Sequence, residues 1–171
     1  MKISKYILSL LFLSQSVLAN PTIFGLTIGE TTIQDMKKQY NVSHSGTNMY
    51  TNGDMYTISP SQIKFDGLNK VITIYNKSGK LVAVLTEFPK NKFEYLNSAL
   101  SNKYSLVSKQ IPFVGDKSAT YKDGETEISL NAPHLSFGMT MNYIHNDLLR
   151  AFNEQTEKEK KQKQQQENSM L

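Results

Sequence analysis

Two apolar blocks dominate the pattern along the chain. Residues 71–75 and 81–88 are rich in β-branched side chains and flank Asn76-Lys77-Ser78-Gly79-Lys80. Asn and Ser tolerate turn geometry and Gly79 adopts positive φ without steric cost, so the pair predicts a β-hairpin with a glycine bulge. Residues 81–85 (Leu-Val-Ala-Val-Leu) are apolar without interruption. That pattern predicts a strand covered on both faces, at the centre of an antiparallel sheet.

Further along, Phe137, Met139, Met141 and Tyr143 alternate with polar or small residues, the period of a half-buried strand over 136–144. Strands are also predicted at 47–51, 54–58, 62–65, 106–110, 118–122 and 125–130. Asn52-Gly53, Asp66-Gly67 and Asp123-Gly124 mark tight turns, and His44–Gly46 reads as a loop. Apolar residues at helical spacing predict two amphipathic helices. In the first, Ile33, Met36 and Tyr40 share a face behind a Thr32 cap. In the second, Phe93, Leu96, Leu100 and Tyr104 share a face behind Asn91, with Glu94 placed for a capping box. A last helix begins near His145-Asn146-Asp147, with Leu148, Leu149 and Phe152 as its apolar patch.

Both amphipathic helices end alike, in Gln39-Tyr40-Asn41-Val42 and Lys103-Tyr104-Ser105-Leu106, and strands follow each. The echo suggests two α-then-β units, residues 20–88 and 89–153, within one globular region. The expected fold is α+β: an antiparallel sheet with two amphipathic helices on one side, arranged as a tandem repeat. A C-terminal helix then runs into a tail, 154–171, of Glu, Lys and Gln. That tail has too little apolar surface to offset its ordering entropy and is expected to be mobile.

The N-terminus reads as an export signal: Lys2 and Lys5, an apolar stretch over 7–13, and Val17-Leu18-Ala19 before the cleavage point. The apolar stretch is far shorter than the roughly 20 residues a membrane span needs. The mature chain is therefore expected to begin at Asn20, free of a stable membrane anchor, in the periplasm or secreted. Cysteine is absent, which removes disulfides, thiol catalysis and thiolate metal sites. Residues 1–19 carry two Lys and no acid, so the balance falls from +4 to 17 basic against 15 acidic residues. That is too weak a field to argue for nucleic acid.

The stretch Phe24-Gly25-Leu26-Thr27-Ile28-Gly29, followed by Thr31-Thr32 and an amphipathic helix, resembles the opening of exported BamE-like proteins. Phe65-Asp66-Gly67-Leu68, the central hairpin and Phe113-Val114-Gly115-Asp116-Lys117 look like small exported proteins of Gram-negative bacteria. The resemblance implies a helical layer on an antiparallel sheet, in tandem as in β-lactamase-inhibitor-like folds, and a binding role. No lipidation cysteine is present, and no inhibitory loop carries over residue by residue.

Candidate chemistry is sparse. His44, His134 and His145 form no metal-binding or protease spacing, and there is no nucleophile elbow or phosphate loop. Asp116, Asp123, Glu125 and Glu127 gather near turns, where solvation explains them. Catalytic residues, cofactors and metals are accordingly not assigned. Aromatic content remains, with nine Tyr and eight Phe. Tyr50, Tyr56, Phe113, Asp116 and Tyr121 are the candidate partner-binding residues, because aromatics supply contact area at low entropy cost. The expected function is a non-enzymatic protein-binding module acting on another envelope or exported protein, as inhibitor, immunity protein or assembly factor. The alternatives are a small exported hydrolase, which would need His134 and Asp116 to converge, and a carrier of an apolar ligand, which would need a cavity between helix and sheet.

Overall fold

The computed structural model describes residues 20–170. The stretch expected as an export signal, residues 1–19, therefore lies outside the described residues. The chain is α+β. Eight of its strands form one antiparallel sheet, and a separate two-stranded hairpin precedes them.

That small hairpin pairs β1 (Thr22–Ile23) with β2 (Leu26–Thr27). Its turn residues, Phe24 and Gly25, both have positive φ, at 53° and 74°. The Tyr40 hydroxyl donates to the Phe24 carbonyl at 2.6 Å, and the Phe24 ring meets Phe65 edge-on. These contacts hold a bulky residue in a conformation it rarely takes.

Helix α1 (Ile33–Gln39) starts as expected. The Asp35 N–H donates to Thr32 Oγ1 and the Thr32 N–H to Asp35 Oδ2, completing a capping box. The Thr32 hydroxyl and Lys38 ammonium hold the exposed Asp35 carboxyl below its usual range. Strands β3 (Val42–Thr47), β4 (Asp54–Ile58), β5 (Lys70–Tyr75) and β6 (Leu81–Pro89) follow. Helix α2 (Phe93–Ser101) then leads into β7 (Ser105–Gln110), β8 (Lys117–Asp123), β9 (Thr126–Ala132) and β10 (Gly138–His145).

The sheet order is β3-β4-β5-β6-β10-β9-β8-β7. A helix and four strands occur twice, and the order reads the same from either edge. The last strands of the two units, β6 and β10, pair antiparallel at the centre. The first strands, β3 and β7, form the edges. Each edge strand carries a bulge, at Ser45 and at Val107.

The apolar run of β6 is covered on both faces, as its pattern predicts. Leu81, Val84 and Phe88 join the large core beneath α1 and α2, with Met36, Phe93, Leu96, Tyr121, Leu130 and Tyr143. A bulge at Val82 turns Val82 and Ala83 to the opposite side, where they meet Leu148. Leu148 belongs to α3 (Asn146–Asn168), which lies across the other face. The His145 ring caps α3, with Nδ1 accepting the Asp147 N–H at 3.2 Å.

Several local expectations are corrected. His44–Gly46 is not a loop but lies within β3, while 48–51, expected as strand, joins Asn52-Gly53 in a loop over 48–53. Asn48 Oδ1 accepts the N–H groups of Tyr50 and Thr51, folding that loop back on itself. The strand expected at 62–65 is absent: a 3-10 turn (Pro60–Gln62) and a bend stand there instead. Asn91 sits inside a 3-10 turn (Lys90–Lys92) that runs directly into α2, so no capping box forms with Glu94. Residues 154–168 continue α3 as helix to Asn168, with nearly every side chain in water. No helix among the described residues is long and apolar enough to cross a membrane.

Candidate protein-binding surface

Of the large apolar side chains left in solvent, five fall within nine residues: Leu106, Val107, Ile111, Phe113 and Val114. They run along the edge strand β7 and over the tip of the β7–β8 loop. Two more, Leu135 and Phe137, stand on the β9–β10 loop. Exposure reaches 105% at Phe113, 92% at Leu135 and 97% at Phe137.

The two loops are held together. Asp116 Oδ1 accepts the His134 backbone N–H at 2.7 Å, which joins the base of one loop to the other. Lys90 clamps the second loop from beneath. Its Nζ donates to the carbonyls of Pro133 and His134, and its backbone N–H donates to the Phe137 carbonyl. Lys117 Nζ donates to Glu94 Oε1 at 2.7 Å, tying the first loop's exit to α2. Gly115, at φ 131°, folds against Pro112. The apolar tips therefore project from a braced base. Below the second loop lies an open cleft of about 240 Å³ bordered by Asn69, Glu87, Asn131, Ser136 and Thr140.

The five residues predicted for partner binding do not converge. Tyr56 and Tyr121 are buried. Tyr121 is fixed from α2, its hydroxyl donating to Asn97 Oδ1 at 2.6 Å, and burial pushes its phenol pKa up. Tyr50 is half-buried in the 48–53 loop, its ring 5.2 Å from that of Phe152. That loop stands against Tyr75, where β5 ends, whereas the loops of Phe113 and Phe137 stand by Pro89 at the other end of the sheet. Only Phe113 and Asp116 belong to one surface. Asp116 serves there as a brace.

Leu106, Val107, Ile111, Val114, Leu135 and Phe137 were not among the sequence candidates. Phe137 was hidden by its place in the 137-139-141-143 alternation. The strand begins only at Gly138, where the partner strand runs out at Pro89, so the apolar period overshoots the sheet by one residue. Leu135, lone between His134 and Ser136 and shortly after a proline, was the available signal.

A second concavity lies under α3. It is a cleft of about 310 Å³ bordered by Tyr50, Ile74, Leu85, Ile144, Leu149 and Phe152. Its walls are almost wholly apolar. Beside it, the same face over β8 to β10 is uncovered and polar, carrying Ser118, Thr120, Ser129, Asn131, Thr140 and Asn142.

His134 and Asp116 do meet, but through the backbone amide of His134. The carboxylate thus closes a loop and makes no hydrogen bond to the imidazole. Among the described residues, no three His, Asp or Glu side chains gather at metal-binding distance. No family model matches the chain, and neither the curated proteins nor the solved structures give a match to it.

Proposed function

We propose that this protein is a non-enzymatic protein-binding module of the periplasm or extracellular space, whose partner is another envelope or exported protein. The observation that carries this reading is the braced apolar surface of Phe113, Val114, Leu135 and Phe137. Large apolar side chains left in water cost solubility, and a group of them on two adjoining loops is the usual mark of an interaction site. The export signal read at residues 1–19 and the resemblance of 24–32 to BamE-like proteins support the compartment and the binding role. Inhibition, immunity and envelope assembly all use such a surface.

The test is the double substitution Phe113→Ser/Phe137→Ser, made in the mature chain. Both side chains already face water, so the melting temperature should stay within about a degree or two of wild type. Capture of a specific partner from envelope extract should fall by about tenfold or more. Equal capture by both forms, or no specific partner for the wild type across repeated extracts, would contradict the reading.

A second reading, carriage of an apolar ligand, rests on the cleft under α3, whose volume lies at the lower end of ligand sites. A naphthylamine probe whose fluorescence rises with wild type and not with Leu149→Lys would favour it. No rise with either form would dismiss it.

A further inference from the structure

The two edge strands occupy equivalent places in the repeated topology, and both are bulged. Their side chains differ. In β3, His44 and Ser45 are exposed but engaged: His44 Nε2 lies 3.2 Å from Asp54 Oδ1, and Ser45 Oγ lies 2.7 Å from Thr57 Oγ1. In β7, all six residues are exposed, and Leu106 and Val107 leave apolar surface in water. Charge differs too. Residues 103–122 hold four lysines and one acid, Asp116. Lys117 is paired with Glu94, while Lys103, Lys109 and Lys122 have no carboxylate at ion-pair distance among the described residues.

The backbone of β7 has a defined free side. Asp123 and Thr126 flank the two-residue Gly124-Glu125 turn and so exchange both ladder hydrogen bonds. Alternation back along β8 then directs the amides of Lys122, Thr120 and Ser118 toward β7, opposite Ser105, Ser108 and Gln110. Lys109, between the last two, turns its N–H and C=O outward. Natural sheets blunt such an edge with lysines, bulges, proline or a covering segment, and β7 carries only Lys109 and one bulge of these. Here nothing among the described residues covers it, and its single bulge lies toward one end.

We propose that β7 is a strand-addition edge that takes an extended, carboxylate-bearing segment of the partner protein. This rests on the reading of the adjoining loops as the partner surface. An added strand would satisfy the outward backbone groups along roughly 20 Å of edge. Its apolar side chains would cover Leu106 and Val107, and its carboxylates would meet Lys109 on one face of the sheet and Lys122 on the other. Beyond Gln110 the same segment would run directly to Ile111 and Phe113. A second copy of this chain fits less well, because pairing β7 with itself would bring two sets of unpaired lysines together.

The test uses a displayed library of random short peptides selected on the mature protein. Selected peptides should alternate apolar residues with others and carry Asp or Glu. Lys109→Pro removes the outward donor at an edge position where proline is tolerated, and its melting temperature should remain that of wild type. Binding to this variant should fall by about tenfold or more. In the wild type, the chosen peptide should slow hydrogen exchange at the Lys109 amide by a similar factor, a readout that does not depend on the variant folding. Peptides that bind Lys109→Pro as tightly as wild type, that leave the Lys109 amide unprotected, or that show no acidic alternation would overturn the proposal, as would failure of the library to yield binders. So would a wild-type dimer that Lys109→Pro converts to monomer, since the occupant would then be a second copy. The Phe113→Ser/Phe137→Ser form separates the two claims. Loss of peptide binding only at Lys109→Pro, with partner capture unaffected by the loop substitutions, would sink the loop reading and leave the edge.

Discussion

Gly53 shows how one residue can be required for a reason its sequence context does not reveal. The Asn52-Gly53 pair suggests a tight hairpin turn, but the connection is a longer loop that folds against the end of β5. A Cβ on Gly53 would stand 2.1 Å from the Tyr75 carbonyl oxygen. The Thr51 hydroxyl donates to that same oxygen at 2.8 Å, fixing the approach. Gly53→Ala should therefore move backbone on both sides and cost about 1–3 kcal/mol, read as a lower urea midpoint. An unchanged midpoint would show that the loop has room to spare.

Tyr75 supplies a pH signature at the same scale. Its side chain is fully buried, its hydroxyl has no hydrogen-bond partner, and burial pushes its pKa up to about 12. The unfolded chain releases that proton near its ordinary value of about 10. Because the folded pKa is the higher one, the stabilisation is fully present below about pH 10 and is lost as pH rises from about 10 to 12. Tyr143 is raised in the same direction, mainly by its burial. Denaturation midpoints taken across that range should fall steeply, and less so in Tyr75→Phe. A parallel fall in both forms would assign the alkaline loss elsewhere.

At the scale of elements, β6 is the member on which the others depend. Val84 is fully buried between the two halves, paired with Thr73 on one side and Tyr143 on the other. Val84→Asp would bury a carboxylate without a partner, at several kcal/mol against a total stability of about 5–15. Lys77→Asp, in the turn before β6, should stay within about half a kcal/mol. Equal midpoints for the two variants would remove β6 from the core.

The far end of α3 should matter as little. Residues 161–168 are exposed throughout, so deleting 158–171 should leave the melting temperature unchanged. A clear drop would mean that the helix end docks. Which elements were legible follows from what holds them. The β5–β6 hairpin and β10 declare themselves through β-branched blocks and alternation, because side-chain burial stabilises them. Strand β3 is held largely by backbone pairing at an edge, and its Ser43, His44, Ser45 and Gly46 leave no apolar period to read. The start of α2 was misplaced because a 3-10 turn carries the chain into it, so no side-chain cap is needed.

For the whole molecule, the repeated helix-and-four-strands order makes one continuous sheet whose two ends are topologically alike and chemically different. One end has the 48–53 loop packed against Phe152 of α3. The other presents Phe113, Val114, Leu135 and Phe137 to water. Sequence pattern reports hydrophobicity but not burial, so buried Tyr56 and Tyr121 stood beside exposed Phe113 as equal candidates. Only the pairing of strands separates them. The most direct measurement places a photocrosslinking residue at position 113, at 137 or at 49 in the full chain. Met49 is a suitable control because it too is exposed, in the loop at the opposite end. A specific adduct with one envelope or exported protein should form from positions 113 and 137 and not from 49. Adducts from 49 alone, or the same products from all three positions, would contradict the assignment of the braced loops as the partner surface.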